Sequence, residues 1–206
     1  MRIAPDRFVF LNVGSMGFNK GLDLLLVAFN EVRRKHSRAL LLLKDQRGLY
    51  PWNGSAAIAE ARQLHPGKLD DLGPDHVGVI GTSLTLAQLA ALYGAADGYV
   101  SPYRAEGFNI PPLEAAACGL PIAVTAGGPT DDYAHDSFAL KLPSRPGEIN
   151  GAGCLEPELD ALIEAMLMMI ERRLPAAVDP ARARSRIGAH NTWEHVVDRL
   201  LAAFTH

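Results

Sequence analysis

Residues 8–36 read FVFLNVGSMGFNKGLDLLLVAFNEVRRKH: an apolar run, a glycine-rich turn and a segment with helical spacing. The apolar side chains of that last segment repeat at intervals of three or four residues, at Leu22, Leu25, Leu26, Phe29 and Val32. Basic residues crowd its final turn, where the helix dipole favours cations. This stretch predicts a buried strand that is followed by a helix with one buried face.

The same alternation recurs along the chain. Further short apolar runs lie at 39–43, 77–80, 98–101, 121–125 and 138–142. Helical patterns lie between and after them, at 55–64, 84–93, 111–119, 156–172 and, as one or two helices, 179–204, while 143–153 is a proline- and glycine-rich connection. Strands that are apolar on both sides are typical of parallel sheets covered by helices. We therefore predict an α/β fold with a doubly wound, mostly parallel six-stranded sheet and helices on both faces.

Composition narrows the classes of function. The chain has 206 residues, 48% of them hydrophobic, which suits a single domain. Its 20 basic and 23 acidic residues give a net charge of -3, which argues against a nucleic-acid partner. The two cysteines, Cys118 and Cys154, are too few for a disulfide framework and lack metal-site spacing. With neither a leader nor a membrane-span pattern, the expected location is cytoplasmic.

Ligands of such sheets bind beyond the carboxyl ends of the strands. The first loop there, 14–21, has glycines at Gly14, Gly17 and Gly21 and a cation, Lys20, next to a helix start. Backbone N–H groups, a helix dipole and an ammonium group favour phosphate. The spacing matches neither the dinucleotide fingerprint nor the P-loop. A simple turn with a solvated Lys20 remains an alternative.

The second loop, 101–112, leads into a short helix that begins near Pro111. Two carboxylates, Glu106 and Glu114, flank the backbone amides of 107–110 at that helix start. Phosphate binds N–H donors, whereas sugar hydroxyls bind carboxylate acceptors, so this combination suits a sugar nucleotide. The alternative is that Glu106 is solvated and Glu114 only interacts with the helix dipole.

The third loop, 126–132, contains Gly127 and Gly128 and again precedes a turn, in which Asp131 is either a ligand or a capping residue. The sequence has no Asp-x-Asp pattern, and its adjacent aspartate pairs at 70–71 and 131–132 diverge from one backbone stretch. We therefore expect no bound metal and no cofactor besides the sugar nucleotide substrate.

The two glutamates are separated by seven residues, and the segments 89–102 and 114–122 around them are also distinctive. In these features the chain resembles the retaining group 1 glycosyltransferases of the GT-B fold, and specifically their C-terminal, donor-binding domain. The resemblance extends to 14–21, Gly81, 127–128 and the helix around Trp193, and so covers nearly the whole chain.

The resemblance implies roles for individual residues. Lys20 would hold the donor diphosphate, Glu114 the ribose hydroxyls, and Glu106 with the amides of residues 107–110 the transferred sugar. Lys20 and Glu106 are therefore the expected catalytic residues. Residues 79–82 would border the base. The other expected donor-binding residues are Gly14, Ser15, Gly81, Gly107, Phe108, Asn109, Ile110, Gly127 and Gly128.

One position departs from the family pattern. Ser15 stands where family members commonly have an arginine that contacts the diphosphate. Arg104 or Arg47 could supply the missing charge from a neighbouring loop, or each could be a surface residue.

The resemblance implies that residues 1–206 form the nucleotide-sugar donor-binding, Rossmann-like half of an enzyme of carbohydrate biosynthesis. That enzyme would transfer a hexose from a nucleoside diphosphate sugar to an acceptor, with retention and without a metal. A preceding acceptor domain, absent from this chain, would be needed for activity, and membrane contact would come only through the full-length protein or its acceptor. Two alternatives stay open: a nucleotide-binding module without transfer activity, which Ser15 favours, and half of a sugar-nucleotide epimerase.

Overall fold

The computed structural model describes residues 3–46, 48 and 53–204. Its main sheet has six strands in the order β3-β2-β1-β4-β5-β6. The strands are β1 (Phe8–Gly14), β2 (Ala39–Asp45), β3 (Val77–Ile80), β4 (Gly98–Ser101), β5 (Ile122–Thr125) and β6 (Ala139–Leu142). All pairings within this sheet are parallel. The predicted doubly wound α/β sheet is confirmed.

Seven helices accompany the strands in the described part of the chain. They are α1 (Leu22–Lys35), α2 (Gly54–Leu64), α3 (Leu86–Gly94), α4 (Ile110–Ala117), α5 (Leu159–Ile170), α6 (Ala181–His190) and α7 (Trp193–Phe204). Two 3-10 turns, Phe18–Lys20 and Pro129–Asp132, follow β1 and β5. The predicted apolar face of α1 is fully internal, since its five positions are at most 2% exposed.

Successive residues of the central strands pack on opposite sides of the sheet. Phe10 and Leu41 join a core formed with α1, α2 and α5. Leu11 and Leu42 join a second core, formed with α3, α4 and α6. Because both faces of β1 and β2 are covered, these strands are apolar almost throughout, as expected for a parallel sheet.

The connection predicted at 143–153 is instead part of an antiparallel hairpin. Strand β7 (Ser144–Ile149) pairs with β8 (Ala152–Pro157) through a two-residue turn. Both turn residues, Asn150 and Gly151, have positive φ, at 53° and 80°. Asn-Gly is a strong hairpin signal because both residues tolerate this backbone conformation. The hairpin also explains why α5 begins at Leu159 rather than at the predicted residue 156.

The spacing of apolar residues predicts that Leu86, Leu89, Ala90 and Tyr93 share the buried face of helix α3, but the structure buries only part of that face. A capping box between Thr85 and Gln88 starts this helix two residues later than predicted. Leu86, expected on the buried face, is 84% exposed, whereas Tyr93 at the other end of the face is buried. The capping box therefore sets where the helix begins, and the apolar face reaches the core at the last turn of the helix rather than at the first.

The segment predicted as one or two helices at 179–204 forms two, α6 and α7. Helix α7 has no buried residue, and its large apolar side chains are exposed: Trp193, Val196, Val197, Leu200, Leu201 and Phe204. Among the residues that the structure describes, no helix is both long and apolar enough to cross a membrane.

Candidate functional site

The strand order reverses next to β1, which pairs with β2 on one side and with β4 on the other. The loops that follow β1 and β4 therefore leave the sheet side by side at its carboxyl edge. Such a reversal opens a crevice in doubly wound sheets, and ligands bind there. The first two predicted loops meet at this point.

These two loops are joined through their backbones. The carbonyl oxygen of Asn19 accepts hydrogen bonds from the N–H groups of Arg104 and Ala105, at 2.7 and 3.2 Å. The Asn19 side chain donates in return to the Ala105 carbonyl at 3.1 Å. Gly21 has φ 66°, and a β-carbon there would lie 1.8 Å from the carbonyl oxygen of Pro102. Only glycine permits this contact, so the turn and the second loop form one unit.

Lys20 and Glu106 lie within this unit and form an ion pair. The Lys20 side chain passes over Gly14, where a β-carbon would lie 3.7 Å from the lysine Cε. Both charged groups are mostly shielded, with side-chain exposures of 17% for Lys20 and 10% for Glu106. The structure thus brings together the two residues that were predicted to be catalytic.

Arg104 is neither a surface residue nor free to reach a diphosphate, so both expectations for it are wrong. Its buried guanidinium group donates to both carboxylate oxygens of Asp23, at 2.5 and 2.9 Å. It also donates to both oxygens of Glu156, at 2.7 and 3.1 Å, and to the Phe18 carbonyl at 3.1 Å. The guanidinium carbon lies 4.0 Å from the centre of the Phe18 ring. Arg104 therefore fastens the second loop to α1, to the Phe18–Lys20 turn and to β8.

The Arg104 contacts also set its charge and that of Asp23. Burial by itself would lower the pKa of Arg104, but hydrogen bonds to Asp23 and Glu156 outweigh it and raise that pKa. Burial would likewise raise the pKa of Asp23, yet hydrogen bonds from Arg104 and His65 bring it below its usual value. Both groups are held in their charged forms. Arg47, the other candidate for the missing cation, lies outside the described residues.

Helix α4 begins at the cleft with a residue in the left-handed conformation. Asn109 has φ 62° and precedes the helix as its N-cap. Its side-chain amide donates to the Ser101 hydroxyl at 3.0 Å, and its carbonyl accepts from the Tyr133 hydroxyl at 2.5 Å. Asparagine tolerates this backbone better than most residues. These contacts hold the loop so that Phe108, Asn109 and Ile110, just before and at the start of α4, come at the cleft.

Glu114 lies one turn into α4 and also borders the cleft. Its Oε2 atom accepts a hydrogen bond from the hydroxyl of Tyr93 at 2.7 Å. Tyr93, in the last turn of α3, is buried. The Glu114 carboxylate is therefore held by a residue of the neighbouring helix α3.

A cleft of about 420 Å³ lies between these groups. Its lining combines the charged residues with apolar ones: Val13, Gly14, Ser15, Lys20, Gln46, Leu89, Glu106, Phe108, Asn109, Ile110, Pro111 and Glu114. A smaller neighbouring cavity of about 180 Å³ shares Val13, Gln46 and Leu89 with the cleft and is bordered by Gly81. The two cavities therefore lie next to each other at the carboxyl edge of the sheet.

Most of the predicted donor-binding residues thus lie together, but not all. Gly107 is exposed in the loop between Glu106 and Phe108. Gly127 and Gly128 line neither cavity. A β-carbon at Gly128 would lie 2.5 Å from the Tyr103 hydroxyl and 2.9 Å from Leu155, so this glycine allows close packing. Asp131 accepts from the Gly127 N–H at 2.8 Å, as a turn residue does.

Sequence reasoning missed three residues of the site. Gln46 directly follows β2, and this position at the carboxyl edge of the sheet could have identified it. Leu89 and Tyr93 were assigned only to a helix face, yet Leu89 lines the cleft and Tyr93 contacts Glu114. In the described ranges, no group of three or more His, Cys, Asp or Glu residues is arranged to hold a metal ion.

Comparison with proteins of known sequence identifies relatives of this chain. The chain is 30% identical over 213 residues to the D-inositol 3-phosphate glycosyltransferase of Geodermatophilus obscurus, covering 98% of this chain and 41% of the relative. The corresponding enzyme of Segniliparus rotundus is 29% identical over 205 residues, covering 97% of this chain and 40% of the relative. The chain therefore spans about two fifths of the length of these relatives.

Solved structures agree on the fold. Anabaena HepE, in its complex with UDP-glucose, superposes with a TM-score of 0.74 at 16% identity, covering 97% of this chain and 49% of that one. Sucrose-phosphate synthase from Thermosynechococcus elongatus superposes with a TM-score of 0.71 at 24% identity, covering 97% and 45%. The family model of the glycosyl transferases group 1 matches residues 2–177, most of the chain. This chain belongs to the group 1 glycosyl transferases.

Proposed function

We propose that this chain binds the nucleoside diphosphate sugar of a retaining, metal-independent glycosyltransferase. The observation that carries the proposal is the convergence of Lys20, Glu106, Glu114 and the start of α4 on one cleft at the strand reversal. One cation, several backbone N–H groups and two carboxylates match the chemistry of a sugar nucleotide, which has both phosphates and hydroxyls.

Each part of the donor has a matching part of the cleft. Lys20 and the N–H groups of residues 107–110 suit the diphosphate, because an ammonium group and backbone N–H groups at a helix start stabilise anions. Pro111 and Pro112 have no N–H group, so Ile110 is the one donor among the first three residues of α4. Glu106 suits the hydroxyls of the transferred hexose, and Glu114 those of the ribose. The neighbouring cavity at Gly81 has room for the base. Anabaena HepE, which has the same fold, was crystallised with UDP-glucose.

The leaving diphosphate gains negative charge as the bond to the sugar breaks. In our proposal Lys20 and the N–H groups of residues 107–110 stabilise that charge, which is electrostatic catalysis by donors already in place. No metal ion is then required for this step. In our proposal the acceptor binds outside the described cleft. The retaining outcome is therefore implied by the resemblance to the family.

We place acceptor binding outside residues 1–206, because the chain spans only about two fifths of the length of its relatives. This chain is then the donor-binding domain, and we expect it to have no transferase activity alone. Positioning donor and acceptor together accounts for several kcal/mol of such barriers.

Calorimetric titration in the presence of EDTA tests the donor site. UDP, GDP and ADP should each be compared with the corresponding monophosphate, and the pair with the preferred base should show tighter diphosphate binding. Lys20→Ala should remove that difference. Lys68→Ala is the matched control, because Lys68 is exposed and does not line the cleft. This variant should retain the difference in affinity between mono- and diphosphate. Equal affinity of the wild-type chain for mono- and diphosphate would contradict the proposal.

The two alternatives require the full-length protein. A transferase releases nucleoside diphosphate only together with a glycosylated acceptor, whereas an epimerase converts the sugar nucleotide without one. Binding without either reaction would support the nucleotide-binding module, for which Ser15, here part of the cleft lining, is the favouring feature.

A further inference from the structure

The hydroxyl group of Tyr93 donates to Glu114 Oε2 at 2.7 Å, and the ring of Tyr93 is packed in the core. The ring lies 6.1 Å from that of Tyr99, measured between ring centres. A buried phenol needs a hydrogen-bond partner, and the Glu114 carboxylate is that partner here. Tyr93 does not line the cleft, so it reaches the cleft only through Glu114.

This contact restricts a side chain that is otherwise free to turn. Glutamate has three rotatable bonds, and an unrestrained carboxylate at the cleft edge would lose conformational entropy on binding a ligand. With Oε2 held by Tyr93, the other oxygen and the remaining lone pairs stay available toward the cleft. A carboxylate held in this way is preorganised to accept from two adjacent hydroxyl groups.

The protonation state of the Tyr93 hydroxyl also stays the same across the neutral and alkaline pH range. Burial, with further contributions from Tyr99 and Glu114, raises the pKa of Tyr93 well above its ordinary value. The group therefore remains a protonated donor to Glu114 throughout the neutral and alkaline range in which a tyrosine in water would begin to ionise.

We infer that Tyr93 is a positioning residue for ribose recognition: it holds the Glu114 carboxylate in the orientation that distinguishes a ribose from a 2′-deoxyribose. The inference rests on the proposed function, because Glu114 must be the ribose-binding residue. Tyr93 is then a second residue that determines the specificity for ribonucleotides. It lies behind the cleft, in a different helix from Glu114.

The test compares UDP with dUDP, GDP with dGDP and ADP with dADP, using the pair whose base binds. The wild-type chain should prefer the ribonucleotide by about tenfold or more, as expected for a hydrogen bond to a charged group. Glu114→Ala should abolish this preference, and Tyr93→Phe should reduce it to about threefold or less. Tyr93→Phe combined with Glu114→Ala should behave as Glu114→Ala alone, because both act through one carboxylate.

Tyr99→Phe is the matched control. It also removes one buried hydroxyl, which bonds to the backbone of Val13 rather than to Glu114. It should lower stability yet keep the wild-type ribose preference. An unchanged preference in Tyr93→Phe would overturn the inference while leaving the role of Glu114 intact. An unchanged preference in Glu114→Ala would instead overturn the ribose assignment in the proposed function.

A second measurement needs no variant at position 93. In wild-type protein labelled with ¹³C at tyrosine Cζ, the Tyr93 resonance should shift when the ribonucleotide binds and shift less with its 2′-deoxy analogue. A Tyr93 resonance that responds equally to both nucleotides would contradict the inference, even if Tyr93→Phe failed to fold.

Discussion

The Lys20 ammonium group is paired with the Glu106 carboxylate, which lies 86 residues further along the chain. This pair changes what should be expected of Glu106. The resemblance alone assigns Glu106 to the sugar, so its removal would leave a bare nucleoside diphosphate unaffected. In the structure, however, Glu106 is paired with Lys20, the cation that we assign to the diphosphate. The negative charge of Glu106 therefore lies beside the proposed diphosphate site.

We therefore predict that Glu106→Gln strengthens binding of the bare nucleoside diphosphate by about fivefold, on the scale of ~1 kcal/mol for a partly exposed charge pair. The same change should weaken the additional affinity that the attached sugar provides. Calorimetry with both ligands measures the two effects. Glu148→Gln makes the same charge change on the exposed hairpin and should alter neither affinity. Weaker binding of the bare diphosphate to Glu106→Gln would show that the ion pair is needed for the site.

The buried Arg104 should be important for stability. Arg104→Met leaves Asp23 and Glu156 without their shared partner, and breaking such a buried pair typically costs about 3–5 kcal/mol in the free energy of unfolding. Urea denaturation measures this loss, with the exposed Arg145→Met as a control expected to be near neutral. Adding Asp23→Asn to Arg104→Met should cost less than the sum of the two single changes. Additive costs would show that the two side chains do not act together.

Two glycines with positive φ offer a matched pair of substitutions. Gly21 and Gly67 have φ values of 66° and 78°, but only at Gly21 does a β-carbon meet other atoms, at 1.8 Å from the Pro102 carbonyl oxygen. Gly67→Ala should therefore cost about 1–2 kcal/mol for the left-handed backbone alone. Gly21→Ala should cost clearly more, and should also weaken nucleoside diphosphate binding because it separates the loops that carry Lys20 and Glu106. Similar unfolding midpoints for the two variants would contradict this packing.

Stability should fall in acid through Asp23. Its pKa is lower in the folded chain than its ordinary value of about 3.9, because the hydrogen bonds from Arg104 and His65 outweigh the effect of burial. Its stabilising contribution is therefore complete above that ordinary value and is lost as the pH falls through the lower, folded-state pKa. The free energy of unfolding, measured by urea denaturation from pH 6 to pH 2, should fall less steeply for Asp23→Asn than for wild type. Asp70→Asn, at an exposed site, should follow the wild-type slope.

Much of the fold could be predicted because it depends on local patterns. The apolar strands and the spacing of apolar residues in α1 identify the elements, and glycines mark where the loops bend. The hairpin of β7 and β8 was missed although its Asn150-Gly151 turn is a local signal. The proline and glycine content of that segment predicts a connection, whereas in the structure Pro146 and Gly147 lie within β7 and Gly153 lies within β8.

The candidate site was predictable to the extent that its groups lie close together in the sequence. Glu106, the amides before α4 and Glu114 belong to one loop and one short helix, and Gly14 to Lys20 to another loop. The contacts made by the side chains of Tyr93 and Arg104 could not be assigned in this way. Each contacts residues from other elements, and the helical spacing around Tyr93 is the same whether its hydroxyl meets water or a carboxylate.

The amino-acid sequence is sufficient to predict the six strands of the main sheet and the helices between them, the glycines that the turns require and the two glutamates that resemble the family motif. Three contacts emerge from tertiary packing alone: Lys20 pairs with Glu106, Arg104 is buried between Asp23 and Glu156, and Tyr93 holds Glu114. Periodicity and turn chemistry act over a few residues, whereas these contacts join residues that are between 21 and 86 positions apart. The contacts of Lys20 with Glu106 and of Arg104 with Asp23 exist because β4 lies beside β1 in the sheet, and the order of strands follows from the packing of the whole chain.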